Sequence, residues 1–236
     1  MDWSNSQCWA IVKLNDAKEF LAYGQVINQM DWWIMGYFNS NVVMLDQEYI
    51  RTPYASGWST VDFSDIVPAT GVEALILYAG SQGSGWPSVV KAYGSTDSFL
   101  DYRRCVYAIV KNNGGKVDYY KYQSAQQTKY RCSLVGYITN GCIMNTNASN
   151  LNVTSTGAWQ LRSCNADYPH PSLVILQQYA PDRTTGIGVK KYRGDHSWTY
   201  HTYGGSFPFV HPMPVGQIAC YRADAGTQFL YLGALD

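Results

Sequence analysis

Ala74-Leu75-Ile76-Leu77-Tyr78 and Leu173-Val174-Ile175-Leu176 are one apolar segment met twice, 99 residues apart, and the reading of the chain grows from that pair. Working outward, the landmarks stay in step. Gly57-Trp58 stands before the first copy as Ala158-Trp159 stands before the second. Val90-Lys91-Ala92-Tyr93 is matched by Val189-Lys190-Lys191-Tyr192, and Ser98-Phe99 by Ser197-Trp198. Leu134-Val135-Gly136-Tyr137-Ile138 closes one half, and Tyr231-Leu232-Gly233-Ala234-Leu235 closes the other. The offsets run from 97 to 101, a drift that fits a duplication with short insertions and deletions in loops.

Each repeat reads as a β-sandwich. Short apolar segments alternate with polar ones, and Gly, Pro, Ser and Asp clusters separate them at about 8–12 residues. The terminal strand of each repeat is nearly all apolar, which suits a central position buried on two sides. Lys111-Asn112-Asn113-Gly114-Gly115-Lys116 reads as a hairpin turn joining 106–110 to 117–122, since Asn and Gly accept positive φ. Alternation along the second of those strands puts Val117, Tyr119 and Lys121 on one face and Asp118, Tyr120 and Tyr122 on the other. The composition agrees: 20 Tyr, 8 Trp and 7 Phe stand against three glutamates, a strand-former's balance.

The expected fold is therefore all-β: two tandem β-sandwich (jelly-roll-like) modules, 56–138 and 157–236, preceded by a small α/β N-terminal arm. Residues 139–156, rich in Asn, Ser and Thr, read as the linker. Residues 1–55 match neither repeat and read as an anchoring arm. Within it, Asp16-Ala17-Lys18-Glu19 forms a capping-box pattern, and Phe20, Tyr23, Ile27 and Met30 give one apolar helical face. Trp32, Trp33 and their neighbours up to Phe38, with Val42-Val43-Met44-Leu45, read as a hairpin around Asn39-Ser40-Asn41. The arm either packs on the first module or docks on a partner, with Phe20, Ile27, Trp32 and Trp33 as its candidate anchors.

The chain has 236 residues with 17 basic and 17 acidic side chains, so its net charge is zero. That balance gives no electrostatic reason to expect nucleic acid as a partner. No apolar run is long enough for membrane insertion, and Met1-Asp2-Trp3-Ser4 lacks the basic and apolar regions of a signal peptide. Six cysteines are spread without a C-x-x-C pair and read as buried reduced thiols. The N-x-S/T triplets at Asn147 and Asn152 are of a kind that arises by chance in such loops.

Signatures of catalysis are missing: no nucleotide-binding glycine loop, no H-E-x-x-H, no nucleophile elbow. Asp62 and Asp65 read as turn-capping carboxylates rather than an acid/base pair. His196 and His201 differ by an odd number, so a regular strand would turn them to opposite faces, away from a shared metal. The expectation is a protein that is not an enzyme, with no catalytic residues, no metal and no cofactor. The stronger candidates for contact with a partner or glycan are loop aromatics: Trp86 in Gly83-Ser84-Gly85-Trp86-Pro87, and Trp198, Tyr200 and Tyr203 before Gly204-Gly205.

The repeated plan is a Trp, then Val-Asp-Phe-Ser-Asp-Ile-Val-Pro (61–68), an apolar strand, Val-Val-Lys-Ala-Tyr-Gly (89–94), a Gly-rich turn and Leu-Val-Gly-Tyr-Ile (134–138). It resembles the jelly-roll-like modules of tailed-bacteriophage virion proteins of the fibre or head-decoration type. The resemblance covers 57–138 well and 157–235 less well, because Leu161-Arg162-Ser163-Cys164-Asn165 departs from the Asp-rich segment. It implies a structural protein made in the host cytoplasm and placed in the virion. It also implies a homo-oligomer that binds other virion proteins and displays a surface for a host glycan. The alternative is a carbohydrate-binding module or lectin that stacks sugars on exposed Trp and Tyr.

Overall fold

A computed structural model describes residues 11–14, 17–19, 38, 40–81, 88–97, 106–122, 130–164, 173–180, 186–191, 198–201, 205–212 and 216–235. Fifteen strands lie among them. The first seven are β1 (Val42–Ile50), β2 (Gly57–Asp62), β3 (Ala74–Ser81), β4 (Ser88–Ala92), β5 (Val106–Lys111), β6 (Lys116–Lys121) and β7 (Tyr130–Ile138). The other eight are β8 (Cys142–Asn150), β9 (Trp159–Ser163), β10 (Leu173–Ala180), β11 (Gly186–Lys191), β12 (Trp198–His201), β13 (Gly205–Pro212), β14 (Gln217–Arg222) and β15 (Gln228–Leu235). The described part is almost entirely β and holds no α-helix, as composition foretold; of the helix expected in the arm only 17–19 is described, a turn in which Lys18 takes a φ of 63°, and the rest lies outside the described residues.

Strand order makes the duplication explicit. The first module pairs β1-β7-β3-β5 in one sheet and β2-β6-β4 in the other. The second pairs β8-β15-β10-β13 and β9-β14-β11-β12, the same order strand for strand with β12 added. Counted within its own module, the second half has sheets 1-8-3-6 and 2-7-4-5, the eight-stranded double Greek key of a jelly roll. The stretch of the first module corresponding to β12 lies outside the described residues.

β3 shows why sequence and sheet agree. Leu75, Leu77 and Ala79 point into the sandwich, against Val61, Phe63, Val90, Val117, Tyr119 and Leu134. Ala74 and Ile76 point the other way and pack with Ile109, Ile138, Met144, Ile175 and Leu235. Both faces of the strand are buried, so it reads as an unbroken apolar run instead of an alternation. Leu75, Ile76 and Leu77 are each fully buried, and each such side chain contributes about 1.5–3 kcal/mol. The central places of β7 and β15 follow from the same logic.

Matched positions repeat matched contacts. Gly136 on β7 faces Met44 on β1, and Gly233 on β15 faces Met144 on β8. A Cβ at Gly136 would lie 2.6 Å from the Val43 carbonyl oxygen; at Gly233 it would lie 2.5 Å from that of Ile143. Only glycine lets the edge strand approach so closely. Trp58 pairs with Tyr120, and Trp159 with Tyr221, each with ring centroids 5.5 Å apart.

Three details differ from the expectations above. β5 and β6 are not a hairpin, because β5 pairs with β3 and β6 with β2 and β4. The Gly-rich turn carries the chain from one sheet to the other. The positive φ of Gly115 (77°) and a hydrogen bond from its N to Asn112 Oδ1 (2.8 Å) shape that corner. Residues 42–50, read as part of the arm, form β1, which pairs with β7 of the first module; the hairpin strand expected at 32–37 lies outside the described residues. Residues 142–150, read as linker, form β8 on the edge of the second module. The modules are thus joined through 139–141 alone. Each edge strand is polar over half its length, which hid it from a search for apolar runs.

Candidate functional site

The features that bear on function are the seam between the modules, a cation bonded to backbone carbonyls in each, and the exposed faces of the outer sheets. At the seam, β5 runs against β8 and β13. The same face of the equivalent sheet in each module supplies the apolar cluster: Ile76, Ile138 and Met44 from one, Ile175, Leu235 and Met144 from the other. From the arm, Ile11 and Phe38 pack against this cluster.

Polar contacts fix the seam's register. Glu73 Oε2 accepts from the Cys142 N (2.8 Å), which seats the start of β8. Asn147 Oδ1 accepts from the Thr96 N (2.8 Å), and Asp97 Oδ2 accepts from the Ala148 N (2.7 Å). Lys91 Nζ donates to the Asp97 carbonyl (2.7 Å) and holds that loop from behind. A shallow crevice runs between Ala92, Asp97, Ile109, Met144, Thr146 and Leu232. Burial pushes the Cys142 thiol up, and the neighbouring Glu73 carboxylate adds to the shift.

The expected alternation in β6 holds, with a consequence that composition did not suggest. Lys121 shares the core face with Val117 and Tyr119 and is fully buried. Its Nζ donates to the carbonyls of Pro53 (3.0 Å) and Tyr54 (2.9 Å) and lies 5.6 Å from the Tyr130 ring centroid. Desolvation holds its pKa below the ordinary lysine value. Arg222, at the same place on β14, donates to the carbonyls of Thr154 (2.5 Å) and Ala225 (2.7 Å). In both modules a cation from the next-to-last strand ties down the crossover from the first strand to the second.

The carboxylates of the Asp-rich segment have local partners. Asp62 Oδ1 accepts from the Ser64 N (2.8 Å), an Asx turn. A side-chain hydrogen bond with Ser64 is the chief cause of a lowered Asp62 pKa, this backbone one adds to it, and Lys116 at 3.6 Å assists. Asp65 pairs with Arg51 at 2.5 Å, and the Arg51 guanidinium lies over the Phe63 ring. Among the described residues no group of three or more His, Cys, Asp or Glu is placed to hold a metal. Nor is any helix among them long and apolar enough to cross a membrane. Cys132, Cys142, Cys164 and Cys220 are free and buried.

Of the residues singled out from sequence, Trp86, Tyr203, Phe20, Ile27, Trp32 and Trp33 lie outside the described residues. Trp198 and Tyr200 are on β12, the edge strand paired with Val189 and Ile187 of β11. Other aromatics, among the side chains described, are exposed. Trp58 on β2 is 39% exposed, Tyr122 is 49% exposed and Tyr54 is 82% exposed. Lys91 Nζ sits 4.1 Å above the Trp58 ring, so one face of that ring is already covered. Trp58 and Trp159 served as repeat landmarks in the sequence; strand alternation with Thr60 and Leu161, both exposed, would have marked them as outward-facing.

No family model matches this chain, and no curated protein does. Among solved structures, one described as the atomic structure of Sulfolobus Turreted Icosahedral Virus aligns over 91% of this chain and 99% of that one. The identity is 11% and the TM-score 0.20.

Proposed function

We propose that this chain is a structural protein of a virus particle, a subunit that assembles with copies of itself and with other virion proteins. The observation that carries the reading is the pair of jelly rolls fused through a buried seam. Jelly rolls build viral capsids, and two in one chain, locked by Ile76, Met144, Ile175 and Leu235, make a rigid double block suited to tiling. Partly exposed apolar side chains on the edges, Val43, Ile143 and Leu161 among them, are the kind of surface that subunit contacts bury. A decoration or fibre role, with a surface turned to a host glycan, is the finer form of this proposal.

The test is light scattering after size exclusion, with negative-stain microscopy of the same fractions. Closed oligomers, shells or regular arrays are expected. A chain that stays monomeric at every concentration overturns the reading.

Jelly rolls also serve lectins, and the Trp58–Tyr120 pair on the outer sheet favours that as the second reading. Lys91 must then leave the Trp58 ring for a sugar to stack there. Trp58→Ala would abolish binding on a glycan array, and a full-length chain that binds no glycan would end it.

A further inference from the structure

The faces that meet at the seam are one face used twice. Val42 and Cys142, Met44 and Met144, and Ile76 and Ile175 are counterparts in the two repeats, 99 or 100 residues apart, and all lie in the same apolar cluster. So do Ile138 and Leu235, and Val135 and Leu232, each pair 97 apart. The joint 139–141 runs between counterparts as well: it leaves Ile138, which pairs with Val42, and enters Cys142, which pairs with Leu235. Across the seam β5 meets β13, its own counterpart. Modules stacked like beads set the front of one against the back of the next and bring unlike residues together. Like faces meet when about a half-turn relates the modules, the arrangement of an isologous contact, in which a patch is complementary to itself.

The polar contacts break that symmetry. Glu73 accepts from the Cys142 N, and Thr96 and Asp97 engage Asn147 and Ala148. Those two lie in a bulge of β8, Asn145–Ala148, which β1 matches with a bulge at Leu45–Glu48. The polar contacts favour the pairing of unlike modules within one chain; the apolar centre carries no such preference.

We propose that the seam face is a self-recognition surface, and that its second occupant is the same face of another copy of this chain. Within one chain the two modules satisfy each other. When two chains open at the joint, the same faces close between them, like on like, and the dimer is built from surface that each chain already has. The face has the apolar character of a homodimer interface, with Ile76 and Ile175 fully buried. Met44 and Met144 within it adapt to the small differences between Val42 and Cys142 or Ile138 and Leu235.

The inference goes beyond the particle reading, because it concerns how two modules pair whatever larger structure they enter. The full chain is given a protease site within 139–141, folded and cut. Its pairs are identified by native mass spectrometry once exchange with an isotope-labelled copy has levelled off. Pairs of first halves and pairs of second halves are expected beside the mixed pair. Ile175→Glu with Leu232→Glu spoils the second face and should raise the ratio of first-half pairs to mixed pairs about tenfold or more. Ile76→Glu with Val135→Glu, the counterpart changes, should mirror this with pairs of second halves. Thermal unfolding before cutting shows whether each variant folds, and where one does not, the unaltered cut chain decides. Mixed pairs alone in that chain, with unpaired halves in the folded variants, overturn self-recognition and leave the particle reading standing.

Discussion

Replacing Lys121 with Met tests the most unexpected feature of the core. The substitution keeps most of the apolar stem beside Tyr130 and removes the ammonium that bonds the Pro53 and Tyr54 carbonyls. A hydrogen bond to a charged group contributes about 1.5–3 kcal/mol. Two are lost, but water reaches the crossover, where Tyr54 is exposed, and the ammonium no longer has to be desolvated. The net loss should be about 2–3 kcal/mol, a fall in Tm of roughly 4–12 °C for a chain of this size. Differential scanning calorimetry at neutral pH reads it.

The pH dependence gives a second arm. Because the folded pKa lies below the ordinary 10.5, the unfolded chain holds more protons between the two values, and stability from this group rises with pH across that window. The gap between wild type and Lys121→Met should therefore widen on going alkaline, while the neutral amine still donates to its two carbonyls. A variant within about 1 °C of wild type, or one that is more stable, would refute the clamp and place Lys121 among buried cations that an apolar residue replaces without loss.

Gly136→Ala and Gly233→Ala should each cost about 1–3 kcal/mol by forcing β1 or β8 off its neighbour, and similar losses in the two variants would confirm the repeat at the level of packing. Cys132, Cys142, Cys164 and Cys220 should resist maleimide at mildly alkaline pH until denaturant is added, which mass spectrometry reads peptide by peptide. Burial pushes Cys164 up to about 12 and the other three higher, so these thiols stay protonated in the fold after unfolded ones ionise. Their contribution to stability is complete below the ordinary value of 9.0 and is lost as pH rises past it, visible as a falling denaturation midpoint. Deleting residues 1–55 removes β1 with the arm, so it should abolish cooperative unfolding of the first module instead of leaving it intact.

What the sequence revealed and what it hid follow from one physical distinction. Strands buried on both faces, such as Ala74-Leu75-Ile76-Leu77, announce themselves because every position is apolar, and they anchored the repeat. Edge strands have one neighbour and much solvent. Asn145-Thr146-Asn147-Ala148 therefore looked like linker, and Leu45-Asp46-Gln47-Glu48 like arm. Asn-Gly-rich 111–116 was read as a hairpin because positive φ marks a tight turn without saying whether the strands it joins share a sheet. Lys121 followed its alternation into the core, but only the carbonyls of Pro53 and Tyr54, distant in sequence, explain how a lysine can stay there.

The two halves also serve as each other's control. Both obey the same strand order, so positions that the fold dictates should agree between them, and positions free of it should drift. Met44 and Met144, Trp58 and Trp159, Ile76 and Ile175, Tyr120 and Tyr221, and Gly136 and Gly233 agree, and each pair sits in an equivalent contact. The bulges do not agree. Leu45-Asp46-Gln47-Glu48 is acidic where Asn145-Thr146-Asn147-Ala148 is uncharged, although both leave their ladders at the same point. Shared backbone geometry cannot account for that difference, because it is common to both. The difference tracks what each bulge faces: Asn147 and Ala148 meet this chain's own loop, while Asp46 and Glu48 face outward.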